Sequence, residues 1–308
     1  MNRERSTLKF AALSILASIL SVLVGFLGAP ILRVLRSVYG AKYFWLTGAI
    51  LFSCLAGFGV YSMAFLLMGT WLTVGLYSEA EAKGHAGFAA GLISVLIGTV
   101  FVIYGPKLLP GKNIDFIAEV GSTIESIMSQ VQSTNNTQES SSMSLFKVEP
   151  KTIIAQIPSI LFLILLMSLS MALMLDRKTA LMFNVKYERI ASQIRLLEFR
   201  VPDHMIWLMM VSFLLTFVKV GNEAVTVVAM NVFNIMMGFY FLQGLAILEV
   251  LMLVFRAGPF IRMLVYFIIV GQLFFILSAV GVIDYWIDFR RRIRNLRARG
   301  SHNNGEQI

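Results

Sequence analysis

The sequence predicts an all-α fold, a polytopic bundle of about eight membrane helices with an added amphipathic helix in the interface plane. Three observations carry that reading. Hydrophobic residues make up 57% of the 308 and charged residues only 14%, and the mean hydropathy is +0.78, more apolar surface than a soluble domain of this size can hide. The apolar residues fall into runs close to membrane length, separated by short charged connections. A dense arginine tract follows the last run and marks a helix end held on one side of a membrane.

Taken in order, Met1 to Lys9 is a basic leader and Phe10 to Leu27 the first span. No small-residue cleavage site with a polar mature domain follows, so the helix is read as retained. Its small residues Ser14, Ser18, Ser21, Gly25 and Gly28 step by four and three, which lets a second helix pack closely. Ala29 to Lys42, with Pro30, Arg33, Arg36 and Lys42, reads as a positive connection too polar for lipid. Phe44 to Ala56 and Val60 to Tyr77, punctuated by Gly57 and Gly59, are two short crossings, and Ser78 to His85 is a small polar loop. The fourth span, Ala86 to Tyr104, carries another small stripe at Gly87, Gly91, Ser94 and Gly98.

From Gly105 to Thr152 the chain leaves the membrane. Ile117, Val120, Ile124, Ile127 and Val131 have the spacing of an amphipathic helix over Asn113 to Val131. Asp115, Glu119 and Glu125 make its other face acidic, which favours the protein's own loops or a partner over anionic lipid. Gln132 to Ser144 reads as a flexible linker, and Asn135, Asn136, Thr137 weakly match a glycosylation sequon. Ile153 to Leu175 is the fifth span, with Pro158 in its first turns. Tyr187 to Phe199 suits the interface plane, Pro202 ends it, and Asp203 is placed to cap the next helix.

Met205 to Val218 is the sixth span. The seventh, Ala224 to Phe255, is about 48 Å long as one helix, against a hydrocarbon core of about 30 Å. It must protrude, tilt, or break near Gly238 or Gly244. Unbroken, it puts Glu223, Asn231, Asn234, Gly238 and Glu249 within an arc of roughly 80°. Polar groups in lipid cost several kcal/mol, so that face should meet protein or water. Asn231, Asn234, Gln243 and Glu249 are the candidate substrate-binding residues, with interhelical hydrogen bonding as the competing account. Phe260 to Ile283 is the last span, with Asp284 and Asp288 at its boundary set to pair with Arg291 and Arg292.

The expected organisation is membrane helices in 1–104, a polar insert in 105–152, membrane helices in 153–289 and a basic disordered tail in 290–308. Eight crossings put both termini on one side. Lys and Arg are nearly balanced between the sides, so Arg290, Arg291, Arg292, Arg294, Arg297 and Arg299 decide for cytoplasmic termini and contact with anionic lipid. Nucleic acid is not an expected partner of the +9 charge, because this membrane-flanking tract supplies much of it. The single Cys54 lies in an apolar run, the three histidines are scattered, and no Gly-rich phosphate loop, HExxH, GxSxG or CxxC occurs. Neither an enzyme nor a bound cofactor or metal is expected.

Pro30, Ile31 and Leu32 before Gly40, the Pro202 helix start, Asn231, the YFLQGLA segment Tyr240 to Ala246, Gly281, Asp284 and the closing Asp288, Phe289, Arg290 resemble the YybS-like predicted membrane proteins of bacteria. The likeness is strongest from Pro202 to Arg292 and weakest in the insert. It implies a multi-pass protein of the bacterial cytoplasmic membrane, in a family without an assigned activity. In hydropathy pattern that family is loosely similar to the S components of energy-coupling-factor vitamin transporters. This chain departs from them in its additional spans and long insert, and no vitamin site is carried over. Two functions fit these residues: a small-solute-binding or transport subunit using the polar intramembrane face, and a non-transporting scaffold that binds a membrane or cytoplasmic protein through its small-residue faces.

Overall fold

In the computed structural model the described residues are 3–24, 27–85, 87–109, 114–135, 150–183, 199–218, 222–255 and 274–289, with 185, 257–258, 260–262, 264–265 and 268. All the secondary structure among them is helical. The chain forms two compact units, Met1–Gln193 and Ile194–Ile308.

The first unit holds α1 (Arg3–Val24), α2 (Ala29–Tyr39), α3 (Ala41–Gly57), α4 (Tyr61–Ala82), α5 (Phe88–Tyr104), a 3-10 turn (Gly105–Leu108), α6 (Phe116–Asn135), α7 (Pro150–Ala155) and α8 (Ile157–Met182). Helix α2 corrects the expectation of a polar connection over Ala29 to Lys42. Pro30 sits in its first turn, where a missing N–H costs nothing. Gly40 ends it at φ +85°, a backbone state that glycine adopts without penalty. Ala29 through Leu35 are all buried. Ile31, Leu32 and Leu35 join Leu13 and Ala17 of α1, Phe44 of α3, Trp71 and Val74 of α4 and Ala172 of α8 in one core. Trp71 donates its indole N–H to the Phe44 carbonyl at 3.1 Å, so the largest ring there is also satisfied.

The expected loop from Ser78 is shorter than its charges suggested, because α4 runs on to Ala82. Helix α8 likewise continues past Asp176 to Met182, with Pro158 in its first turn. A second core gathers Phe65, Val102, Ile103, Phe116, Ile157 and Leu161, with Ile117, Val120, Ile124 and Ile154 against it. The amphipathic α6 thus packs Ile117, Val120 and Ile124 of its apolar stripe on α7, α8 and the α4–α5 pair, while Ile127 is exposed. Asp115 starts α6 by accepting from the N–H groups of Ile117 at 3.0 Å and Ala118 at 3.4 Å. The helix extends through Asn135, into the start of the expected linker. The rest of that linker, Thr137 and Asn136 of the sequon, Gly25, nearly all of Tyr187 to Phe199 and the tract Arg290 to Arg299 lie outside the described residues.

The second unit holds α9 (Met205–Phe217), α10 (Glu223–Val254) and α11 (Phe274–Ile287). The cap expected from Asp203 is absent: His204 is the N-cap of α9 without a side-chain bond, and Asp203 pairs with Arg200 at 3.4 Å. Asn222 does cap α10, accepting from Ala224 N–H at 3.0 Å. Helix α10 is unbroken over 32 residues, with no interruption at Gly238 or Gly244. It crosses α11 where Gly244 faces the Leu277 backbone and Gly281 faces the Tyr240 backbone, so close that a methyl group at either position would collide. Of the last expected span, α11 covers the second half. Positions 260–262, 264–265 and 268 are also helical.

Candidate functional site

In the first unit, polar chemistry converges on α2. Arg33 lies in its second turn, 1% exposed, and reaches two other helices. Its Nη2 donates to Glu81 Oε2 of α4 at 2.8 Å, and its Nε donates to Asp176 Oδ2 of α8 at 3.2 Å. The Asp176 Oδ1 accepts from the N–H of Arg177 at 2.6 Å. One turn further along α2, Arg36 donates twice to Glu79 Oε1, at 3.0 and 2.8 Å, and the Trp45 indole N–H approaches the same oxygen at 3.4 Å. The Arg33 guanidinium also stands 5.8 Å from the centre of the Tyr77 ring. An unpaired guanidinium in this interior would cost several kcal/mol, and two carboxylates in reach are what permit its burial.

None of these residues was in the sequence-derived site. Arg33, Glu81 and Asp176 are 48 and 143 residues apart in their pairings, a separation that no local spacing reveals. The available signal was charge balance: Arg33 and Arg36 stand in an otherwise apolar stretch without a neighbour of opposite sign.

The small stripes divide. Ser14 and Ser21 are buried and Ser18 is partly buried. Ser14 and Ser18 return their hydroxyls to the carbonyls of Phe10 and Ser14, both at 2.8 Å, while Ser21 and Ala17 abut Gly28 at the turn into α2. In α5, Gly98 lies against Thr73 and Gly69 of α4 and Leu165 of α8, and Ser94 is buried. Gly91 has only ordinary contacts to Leu169 and Tyr77, and Gly87, the N-cap, faces open space.

In the second unit the four candidate residues of α10 separate. Gln243 is buried and ties three segments together: its Oε1 accepts from Val201 N–H at 2.9 Å, and its Nε2 donates to the Gly281 carbonyl and to Asp284 Oδ2, both at 3.1 Å. Asp284, expected to pair with the arginine tail, is itself buried and accepts from Phe289 N–H at 2.8 Å. Asn231, Asn234 and Glu249 are half-buried. Asn231 donates to the Val227 carbonyl at 2.9 Å, and Glu249 lies 3.6 Å from Arg262.

Exposed apolar surface and helix length define the class. Helix α9 is apolar on nearly every side, with Trp207 66% and Phe217 70% exposed, a state that water penalises and hydrocarbon does not. Three helical stretches, Phe88–Leu108, Ile157–Met182 and Glu223–Val254, are long and apolar enough to cross a membrane, with shorter apolar helices at Phe10–Ser21, Ala41–Gly57, Met205–Phe217 and Phe274–Ile287. The chain is an all-helical membrane protein. It belongs to the family described as Predicted membrane protein (DUF2232), which it matches over residues 7–285. No curated protein and no solved structure matches it.

Proposed function

We propose that this protein is a membrane subunit that binds or transports a small solute along the Asn231, Asn234 and Glu249 face of α10. The observation that carries the reading is the unbroken helix Glu223–Val254. At about 100° per residue it keeps those three residues on one face and turns Gln243 to the opposite side. All three are half-buried, on the side of the helix away from the fully buried Gln243. Two amides and an acid against hydrocarbon would cost several kcal/mol, which a wet or ligand-lined surface avoids.

The reading includes eight crossings, by α1, α3, α4, α5, α8, α9, α10 and α11, in a bacterial cytoplasmic membrane with both termini cytoplasmic. The contacts of Arg33 with Glu81 and Asp176 support the part of it from α3 to α8, since crossings by α3, α4, α5 and α8 put those three segments on the same side. Single cysteines at positions 231, 234 and 249 in a Cys54→Ala background test the site. They are expected to react with small water-soluble thiol reagents, while a cysteine at 243 stays protected. Complete protection at all three, in folded protein, overturns the reading.

A scaffold role is the second reading, favoured by the Asn231 bond to Val227 and the Glu249 approach to Arg262, which occupy those groups within the chain. Native mass spectrometry of the solubilised protein separates the two. A retained small molecule supports the solute subunit and a retained partner chain the scaffold.

A further inference from the structure

We infer that the apolar stretch of α10 at Gly238, Leu242 and Leu245 is a closed gate between two polar mouths, Asn231 with Asn234 at one end and Glu249 at the other. The inference rests on the solute-path reading above and adds what interrupts that path. At about 100° per residue, these apolar and polar positions share one arc of roughly 80°. The polar members are half-buried, but Met236 through Ile247 are all buried, about three turns of helix closed on every side. Leu242 is 2% exposed and Leu245 6%. At 1.5 Å per residue, Asn231 and Glu249 stand about 27 Å apart along the axis, against a hydrocarbon core of about 30 Å. Each mouth therefore opens near its own face of the membrane, and the leucines lie between them.

The opposite side of α10 is fastened, which fixes where the gate can part. Gln243 binds the Val201 N–H, the Gly281 carbonyl and Asp284, and the Ser278 hydroxyl donates to the Met237 carbonyl at 3.1 Å. Gly244 and Gly281 bring the backbones of α10 and α11 together with no room for a methyl group. Parting there would strand each of those buried polar groups. The side chains at Gly238, Leu242 and Leu245 carry no polar atom, so parting on their side costs packing alone. A narrow apolar constriction stops water and polar solutes by dewetting and needs no ionic lock. Helices α10 and α11 thus move as one body, and the leucine face is the side that opens.

Cysteines in the full chain, placed singly in the Cys54→Ala background and reconstituted in sealed lipid vesicles, test the gate with a small membrane-impermeant methanethiosulfonate. Asn231→Cys and Glu249→Cys are expected to label from opposite sides, and Leu242→Cys from neither. Adding Leu242→Ala and Leu245→Ala to Glu249→Cys should make that cysteine react from both sides. Where the double change does not fold, Leu245→Ala alone should give the same result at a lower rate. Leu277→Ala opens space at the fastened crossing, where Leu277 meets Gly244, and should leave the labelling one-sided. Labelling of Asn231→Cys and Glu249→Cys from the same side overturns the gate, as does reaction of Leu242→Cys. One-sided labelling in the folded alanine variants overturns it too, and so does two-sided labelling in Leu277→Ala, which would show general loosening. Protection of cysteines at 231, 234 and 249 from both sides is a distinct result: it removes the solute path itself, and the gate with it.

Discussion

Arg33 and Glu81, 48 residues apart in the chain, meet at 2.8 Å in the interior of the first unit with almost no exposure on either side. The pair fastens a short arginine-bearing helix to a long apolar one. Removing the cation while leaving Glu81 and Asp176 in place strands buried carboxylates, a change that costs about 3–5 kcal/mol. Arg33→Leu should therefore lower the melting temperature sharply in detergent or abolish folding. Arg36→Leu breaks a pair that is 15% and 31% exposed, and should cost at most about 1 kcal/mol. Equal effects from the two substitutions would contradict the ranking by burial.

Gly98 and Gly91 share the small face of α5 but differ in what they meet. A side chain at Gly98 collides with Thr73 and crowds Gly69 and Leu165, while one at Gly91 begins at ordinary contact distance from Leu169. Gly98→Leu should destabilise by more than the about 1–3 kcal/mol typical of overpacking, because backbone of α4 is among the obstacles. Gly91→Leu should cost clearly less. Thermal melts of the two single variants give the order.

Gln243 is the polar residue of α10 that carries tertiary structure. Gln243→Leu leaves the Val201 N–H, the Gly281 carbonyl and Asp284 Oδ2 without this partner, and buried groups so treated cost about 1–3 kcal/mol each. Hydrogen exchange should speed up at the Val201 amide before it does in the middle of α10. Unchanged protection at Val201 would mean that the glutamine bond is dispensable.

What the sequence made legible was periodic. The apolar runs of α1, α3, α5, α8, α9 and α10, the stripe of α6 and the Pro158 start of α8 all follow from spacing along a single helix. What it hid was pairing over distance. Arg33, Arg36, Glu79 and Glu81 looked like the charges of two solvent-facing connections, because charge marks a loop unless its counter-charge is known. Their counter-charges stand on other helices, so both segments are helical where loops were expected. Gln243 was grouped with Asn231, Asn234 and Glu249 by residue type, although a period of about 3.6 residues turns it to the other side of the helix. The apolar surroundings of Glu249 hid its neighbour Arg262, 3.6 Å away.

The start of α6 should respond to acid. The side-chain hydrogen bond from Lys107, 2.8 Å away, is the largest influence holding the Asp115 carboxyl below its ordinary 3.8, with the Ala118 and Ile117 amides adding to it. A depressed folded-state value means the stabilisation is present above the unfolded value and lost as pH falls through the folded one. Exchange at the Ile117 and Ala118 amides should therefore accelerate below about pH 4. Lys107→Ala should move that onset upward. The effect should be local and weak, because both side chains are exposed to solvent.

The Arg33 contacts also predict sidedness. A guanidinium that reaches the last turn of α4 and the later part of α8 requires the turn into α2, the end of α4 and the end of α8 to lie toward one face of the membrane. The opposite ends of the same helices gather at the other face, where Ser62 at the start of α4 donates to Glu119 of α6 at 2.6 Å and Gly105 packs on Phe65. Cysteines at the exposed positions Lys83 and Lys178 should therefore be labelled by an impermeant reagent from one side of sealed vesicles, and cysteines at Gly59 and Glu125 from the other. The exposed Cys54 is replaced by alanine in every variant so that it does not report. Labelling of positions 83 and 59 from the same side would mean that α4 does not cross. The eight-crossing arrangement would then fail, because α3 and α4 could no longer be successive spans.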